Sequence, residues 1–285
     1  MPSDDRSISF DAFAPAEIAH KVEKVGVAKA RLPLLNTLLL AILAGAFIGL
    51  GGYFAIVAGT GSELGFGPTK VLVGTVFSLG LILVVVAGAE LFTGNNLVAM
   101  AWASKSVTTR EILRNWTLVY VGNFIGAGLT AWFVFLAGTW KANGSAVGLT
   151  AVGIAAAKCQ IGFVECVFRG ILCNALVCLA VWLCLSGRST TDKILAIIWP
   201  IAAFVAVGFE HSVANMFFLP LGLLLKSDAG LSQIAAQNHL SLHHLGATAA
   251  IQNLIPVTIG NIIGGTLLVA GVYWLIFLRS EANQK

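Results

Sequence analysis

Two short stretches carry most of the chemistry that this oily chain allows. One is Gly88-Ala89-Glu90-Leu91-Phe92-Thr93-Gly94-Asn95; the other is Gly208-Phe209-Glu210-His211-Ser212-Val213-Ala214-Asn215. Both read Gly-x-Glu, four residues, Asn, and both lie midway along a segment long enough to cross a bilayer. A charged residue at the centre of a membrane helix costs about 2.5–3.5 kcal/mol on the insertion scale, so a feature of that cost occurring twice marks the working site. His211 is the single histidine within a span. An imidazole titrates at about 6.5 when unperturbed and can exchange a proton near neutrality. Burial and the adjacent Glu210 act on it in opposite directions, and the sequence leaves that balance open. Thr93 and Ser212 stand where a second half-helix would begin, as favoured N-caps. The free N–H groups and partial positive charge of such half-helix ends suit an anion or the oxygens of a small acid. Glu90, Glu210 and Asn215 are expected to hold the loops, the carboxylates by accepting backbone N–H groups. Phe77, Leu81, Leu91, Phe92 and Phe204 flank the breaks, either as packing residues or as constrictions that exclude water and hydrated ions.

The elements that must position these residues are membrane helices. The chain has 285 residues, 58% hydrophobic and 11% charged, with mean hydropathy +0.89. Soluble domains carry about 25% charged residues, so this is an all-α polytopic membrane protein. The net charge of +4 sits at loops and ends, which gives no reason to expect a nucleic-acid partner. No apolar run precedes Leu34, so no secretory signal peptide is expected. The five cysteines, Cys159, Cys166, Cys173, Cys178 and Cys184, fall on one predicted helix, the first three nearly on one face. That arrangement suits packing rather than a disulfide framework. No phosphate loop, nucleophile elbow or metal-ligand spacing is present, so neither an enzyme nor a cofactor or metal is expected. A bis-histidine haem between helices is excluded by the lone intramembrane histidine. His239, His243 and His244 belong to a solvated loop.

At about 20 apolar residues per crossing, six spans are predicted, near Leu34–Ala58, Val71–Ala103, Ile112–Ala137, Gly162–Leu185, Ile194–Leu225 and Thr248–Leu278. The second and fifth exceed one straight span and contain the Gly-x-Glu stretches, so each reads as two half-helices joined by a loop. With both termini cytoplasmic, twelve Lys and Arg fall inside, from Arg6, Lys21, Lys24, Lys29 and Arg31 to Arg279 and Lys285. Four fall outside: Lys70, Lys141, Lys158 and Lys226. That bias sets the orientation. The third span contains Gly122-Asn123-Phe124-Ile125-Gly126 and the sixth Gly260-Asn261-Ile262-Ile263-Gly264. Two halves of three spans each, about 33–138 and 160–280, then form inverted repeats with a site at the midplane. Glycines four apart let backbones approach, and Asn123 and Asn261 read as interhelical hydrogen bonders. Residues 1–32 form a cytoplasmic segment whose Ile18, Val22 and Val25 suggest an amphipathic helix. Residues 33–280 are the channel domain and 281–285 a cytoplasmic tail. On the fourth span Glu165 and Arg169 are spaced to pair. Lys158 would begin that helix, roughly 24 Å from Asn174, as an attractor of anions or an interface-snorkelling lysine.

The chain resembles the formate/nitrite transporter family. The resembling stretches are Phe77-Ser78-Leu79-Gly80-Leu81-Ile82-Leu83, Glu90-Leu91-Phe92-Thr93, Cys173-Asn174-Ala175-Leu176-Val177-Cys178-Leu179-Ala180-Val181-Trp182, Gly208-Phe209-Glu210-His211-Ser212 and Asn253-Leu254-Ile255-Pro256-Val257-Thr258-Ile259-Gly260-Asn261. They extend over nearly the whole chain, from about Phe10. The resemblance implies an aquaporin-like six-helix protomer with its own pore, assembled as a homopentamer in the bacterial inner membrane. It implies passage of formate and, less selectively, other small monovalent anions. Thr93 and His211 are then pore residues on the two loops, Asn174 a polar contact beside them, and Lys158 an outer attractor. Leu81, Leu91, Phe77 and Phe204 match constriction positions, and the N-terminal helix lies at the cytoplasmic mouth.

A carboxylate in such a pore must lose its charge or its water. Protonating an acid of pKa about 4 at pH 7 costs about 4 kcal/mol. Carrying the bare anion through a dry constriction costs tens of kcal/mol in the Born limit. Proton supply through His211 is therefore the expected route, with the proton either returning to the imidazole or leaving with the acid. The rival route is passage beside a charged His211. A nitrite or hydrosulfide pore of the same design, a membrane anchor of a redox enzyme, and a water or glycerol channel are the alternatives; the oily constrictions argue against the last.

Overall fold

The computed structural model describes residues 13–282. Arg6, Lys285, the start of the match near Phe10 and most of the 281–285 tail lie outside the described residues. Within them the chain is helical throughout, with no strand. The helices are α1 (Pro15–Ala30), α2 (Leu34–Gly59), α3 (Phe66–Gly88), α4 (Ala99–Ala103), α5 (Thr109–Ala137), α6 (Ala146–Lys158), α7 (Phe163–Ser186), α8 (Thr190–Ala206), α9 (Ser212–Lys226), α10 (Ala229–Gln237) and α11 (Ala247–Phe277). Five of these, α2, α3, α5, α7 and α11, are long and apolar enough to cross a membrane singly. The α8–α9 pair comprises two shorter helices on either side of the second Gly-x-Glu stretch.

Sequence chemistry explains the boundaries. Thr108 accepts the Glu111 N–H while the Glu111 carboxylate accepts the Thr108 N–H, a capping box that starts α5. Ser189 and Asp192 do the same for α8. Those backbone donors hold the exposed Asp192 carboxyl below its usual range. Gly138 ends α5 in the left-handed conformation that L side chains rarely adopt. Short π-helical segments, Leu83–Gly88 in α3 and Gly264–Gly271 in α11, lie where these spans approach the site; such turns often mark functional positions.

Three expectations are corrected here. Cys159 caps α6 and is not on the helix that carries the other four cysteines. Lys158 is the last residue of α6, and a turn separates it from α7, so no continuous helix measures its distance to Asn174. On α1 the buried stripe is Ile18, Ala19, Val22, Gly26 and Ala30, whereas Val25 is exposed. The absence of a Cβ at Gly26 brings α1 down onto Val98 and Ala101.

Packing depends on glycine at helix crossings. A Cβ on Gly126 would land on the Ile42 carbonyl oxygen, and one on Gly264 on that of Ile171. The α2–α5 and α7–α11 pairs are therefore in backbone contact. The most enclosed helix is α9, whose Phe217, Met216, Leu221 and Leu225 are fully buried. Its Phe217 ring lies against the bare faces of Gly49 and Gly52 on α2. Gly126→Val is expected to lower the thermal unfolding midpoint of the detergent-solubilised protein, by an overpacking cost of about 1–3 kcal/mol. Gly128→Val, where a Cβ meets nothing within 4 Å, is expected to leave it within error; equal midpoints for the two variants would refute the crossing argument.

Candidate functional site

Both Gly-x-Glu stretches interrupt their helices. Gly88 and Gly208 stand at φ +85° and +80°, where only glycine is at ease. Nothing lies within 4 Å of a Cβ on either, so the requirement is one of conformation and not of space. Beyond each glycine the backbone leaves the helix, and its polar groups need partners that lipid cannot provide.

Asparagines supply them. The Asn123 Oδ1 accepts the Phe92 N–H at 2.9 Å, while its Nδ2 donates to the carbonyls of Ala41 (2.7 Å) and Glu90 (2.9 Å). The Asn261 Oδ1 accepts the Ser212 N–H at 2.8 Å, and its Nδ2 donates to Gly170 (2.8 Å) and Glu210 (3.0 Å). Glu90 N–H donates to the Leu40 carbonyl and Glu210 N–H to that of Arg169. The carboxylates themselves take side-chain donors, which corrects the expectation of backbone ones. Glu90 accepts from Lys29 Nζ and Asn95 Nδ2, each at 2.6 Å. Glu210 accepts from Lys158 Nζ at 2.7 Å and Asn215 Nδ2 at 2.6 Å. Asn95 continues to Asn115 and thence to the Lys29 carbonyl. Asn215 continues to Asn253 and thence to the Lys158 carbonyl. Both carboxylates are buried, so each ion pair needs its full set of hydrogen bonds to offset desolvation.

Lys29, Asn115 and Asn253 carry site roles that sequence reasoning did not assign. The signal was present: Asn115 precedes Asn123 by eight residues, and Asn253 precedes Asn261 by the same number.

His211 and Thr93 meet between the breaks, with Nε2 and Oγ1 2.9 Å apart. His211 is also the N-cap of α9, its Nδ1 accepting the Ala214 N–H at 3.0 Å. A backbone N–H can only donate, so Nδ1 carries no proton, and in the neutral ring the proton sits on Nε2. Nε2–H then donates to the Thr93 hydroxyl, whose own proton remains for a second acceptor. The expectation that Thr93 and Ser212 cap the half-helices is corrected: His211 caps α9, Thr93 makes no cap bond, and the Ser212 Oγ has no hydrogen-bond partner among the described residues. The Phe204 ring lies nearly parallel to the imidazole at 5.9 Å, and Phe77 meets Phe204 edge-on at 5.8 Å.

Asn174 is fully buried and its amide faces protein: Nδ2 lies within hydrogen-bond distance of the carbonyls of Thr93 (3.2 Å) and Asn261 (2.6 Å) and the Asn96 Oδ1 (2.7 Å). It positions the Thr93 backbone against α11. Phe92 packs on Tyr120 and Trp116, ring centroids 4.9 and 6.3 Å away, and lines neither of the cavities described next. Glu165 and Arg169 pair at 3.5 Å, as their spacing suggests.

Two cavities reach the neighbourhood of the Thr93–His211 contact: one touches His211 and the other Gly94, next to Thr93, while the fully buried Thr93 lines neither. One, of about 310 Å³, is lined by Lys158, Glu210, His211, Phe77 and Phe204. The other, of about 410 Å³, is lined by Lys29, Glu90, Leu81, Leu91 and Gly94. They share no lining residue. The arrangement offers two cavities, each with a lysine–glutamate pair and an apolar wall, and a buried hydroxyl–imidazole contact that meets the first through His211.

The formate/nitrite transporter family model matches residues 16–275. The formate channel FocA of Escherichia coli K12 is 45% identical over 276 residues, covering 95% of this chain and 97% of that protein. A solved pentameric formate channel with formate bound superposes with TM-score 0.80 at 41% identity, covering 86% of this chain and 98% of the other. A solved ion channel of the FNT family superposes with TM-score 0.79 at 27% identity, covering 91% and 98%. Matched along nearly its whole length, the chain belongs to the formate/nitrite transporter family.

Proposed function

We propose that this protein passes formate, and related small monovalent anions such as nitrite, across the cytoplasmic membrane. In this reading each protomer of a homopentamer has its own pore, and both termini face the cytoplasm. Each protomer is an aquaporin-like bundle of two inverted repeats. Residues 1–32 form a cytoplasmic segment and 33–280 the channel. The family assignment supports this, as do the pentameric formate-bound neighbour and the likeness of the two hydrogen-bond networks about the breaks. The observation that carries the reading is the buried Thr93–His211 contact, with His211 on the wall of one cavity and Gly94, next to Thr93, on the wall of the other, each cavity also carrying a lysine.

In this reading the residues take the following roles. The Lys158 cavity is the outer vestibule and the Lys29 cavity the inner one. Phe77 and Phe204 form the outer constriction, Leu81 and Leu91 the inner. An arriving carboxylate accepts from Thr93 O–H and His211 Nε2–H, the two donors the site can turn toward it. Protonation lets it cross as the neutral acid, at a cost of about 4 kcal/mol at pH 7 for a pKa of about 4. For His211 to give up the Nε2 proton without becoming an imidazolate, Nδ1 must first take one from the water of the Lys158 cavity, whose wall His211 and Ala214 share, and that displaces the Ala214 N–H. The lost N-cap costs about 1 kcal/mol and charging the buried ring adds a desolvation cost; both are set against the tens of kcal/mol that a bare anion meets in a dry constriction in the Born limit. In this mechanism Asn174 acts by fixing Thr93 and does not touch the substrate.

Formate flux into proteoliposomes tests the pair. His211→Phe is expected to reduce flux at least tenfold at pH 7 and to flatten its pH dependence; if flux and pH profile both match the wild type, the proton role is wrong. Thr93→Val keeps the side-chain volume and removes the hydroxyl. Flux is expected to fall about tenfold, equivalent to about 1.4 kcal/mol, and the melting midpoint to drop modestly because the buried Nε2–H loses its acceptor. A Thr93→Val channel with wild-type flux would remove the hydroxyl from the mechanism.

A further inference from the structure

The vestibule lysines Lys158 and Lys29 are each joined to a buried carboxylate, at 2.7 and 2.6 Å. A cation and an anion at that separation present a dipole to the vestibule and little net charge beyond it. The charge an incoming anion meets from a distance must come from other groups.

The walls supply three. Lys70 and Arg169 line the Lys158 cavity, and Lys193 lines the Lys29 cavity. Lys70 is exposed on the second turn of α3, and Lys193 is half-buried on the first turns of α8. Each thus opens one of the two broken spans, at the end that precedes the break. Seven residues of helix separate Lys70 from the constriction residue Phe77, about 10 Å at 1.5 Å per residue. Among the described residues no carboxylate pairs with Lys70 or Lys193. The Lys70 ammonium lies 5.6 Å from the Phe66 ring, which leaves its charge uncompensated. Arg169 is partly offset by the exposed Glu165 at 3.5 Å. The charged groups on the Lys158 cavity wall are then three cations and one carboxylate, and on the Lys29 cavity wall two cations and one carboxylate. Clefts with low-dielectric walls focus such net charge and raise the arrival rate of an opposite charge by about 10–1,000-fold in favourable cases.

We infer that Lys70 on one side and Lys193 on the other, with Arg169 assisting Lys70, are the residues that capture anions at the pore mouths. Lys158 and Lys29 are held by their carboxylates to brace the breaks and to receive the anion once it is inside. This rests on the anion-channel reading above and assigns capture within it to particular residues. Capture by long-range charge changes how often an anion enters and leaves unchanged the constrictions it then crosses.

The test is initial formate uptake into right-side-out membrane vesicles containing the full-length channel, with wild type and Lys70→Gln compared. At about 0.01 M ionic strength the Debye length is about 30 Å, and at 1 M it is about 3 Å. Lys70→Gln is expected to lower uptake several-fold at low salt and low formate. The difference should vanish at high salt, the rate at saturating formate should be unchanged, and Lys70→Arg should restore uptake. Lys193→Gln should leave entry unaffected and slow efflux in the same salt-dependent way. A loss that persists at high salt, a loss in the saturated rate, or no loss at low salt overturns the assignment. A wild-type protein that carries no formate overturns the channel reading itself, which the control arm reports separately.

Discussion

Interrupting a helix inside a membrane releases backbone N–H and C=O groups where no water can satisfy them, and the rest of this structure follows from how that is handled. Each break begins at a glycine with φ of about 80° and is then pinned by one asparagine, Asn123 or Asn261. Each of these amides bridges three backbone groups: an N–H and C=O of the break and a carbonyl of a neighbouring span. Helix crossings must be close for such short side chains to reach. The glycines at 126 and 264 permit this by bringing backbones into contact. Packing and polar satisfaction are therefore one requirement here.

The two breaks are held alike but carry different chemistry. Counting from Glu90 and Glu210, Leu91 stands where the other stretch has His211, and Thr93 where it has Val213. The shared residues, Gly, Glu and Asn, make the scaffold. Among the unshared ones, Thr93 and His211 come into contact. Because the two stretches share a pattern but differ at these positions, the contact joins a hydroxyl to an imidazole in place of two like groups. The cap at Nδ1 also links the imidazole's protonation to the start of α9, so the helix that fills the core and a ring on one cavity wall share one hydrogen bond.

The lysines illustrate how burial redirects a charge. From its position, Lys158 looks like a free attractor. In the fold it meets a carboxylate that would be costly alone, and the two are nearly useless to distant ions as a pair. A buried carboxylate without its partner is strongly unfavourable, so the Lys–Glu–Asn–Asn sets read as the means by which acids are tolerated at mid-membrane.

Much was determined by the sequence alone. Length, composition and apolar runs dictate membrane helices, because only a helix satisfies its own backbone in lipid. Gly88 and Gly208 mark where α3 and α8 stop, because only glycine adopts that conformation freely. The repeated Gly-Asn-x-x-Gly reveals close crossings and the residue that bonds across them. Other matters were decided by the tertiary structure. Whether His211 or Ser212 caps α9 depends on a side-chain direction that spacing does not encode. That Asn174 and Phe92 turn into protein, that Lys29 joins Glu90, and that Cys159 belongs to α6 each depend on how separate helices are placed in three dimensions. Periodicity reports which face of a helix is apolar, but not which distant residue that face will meet.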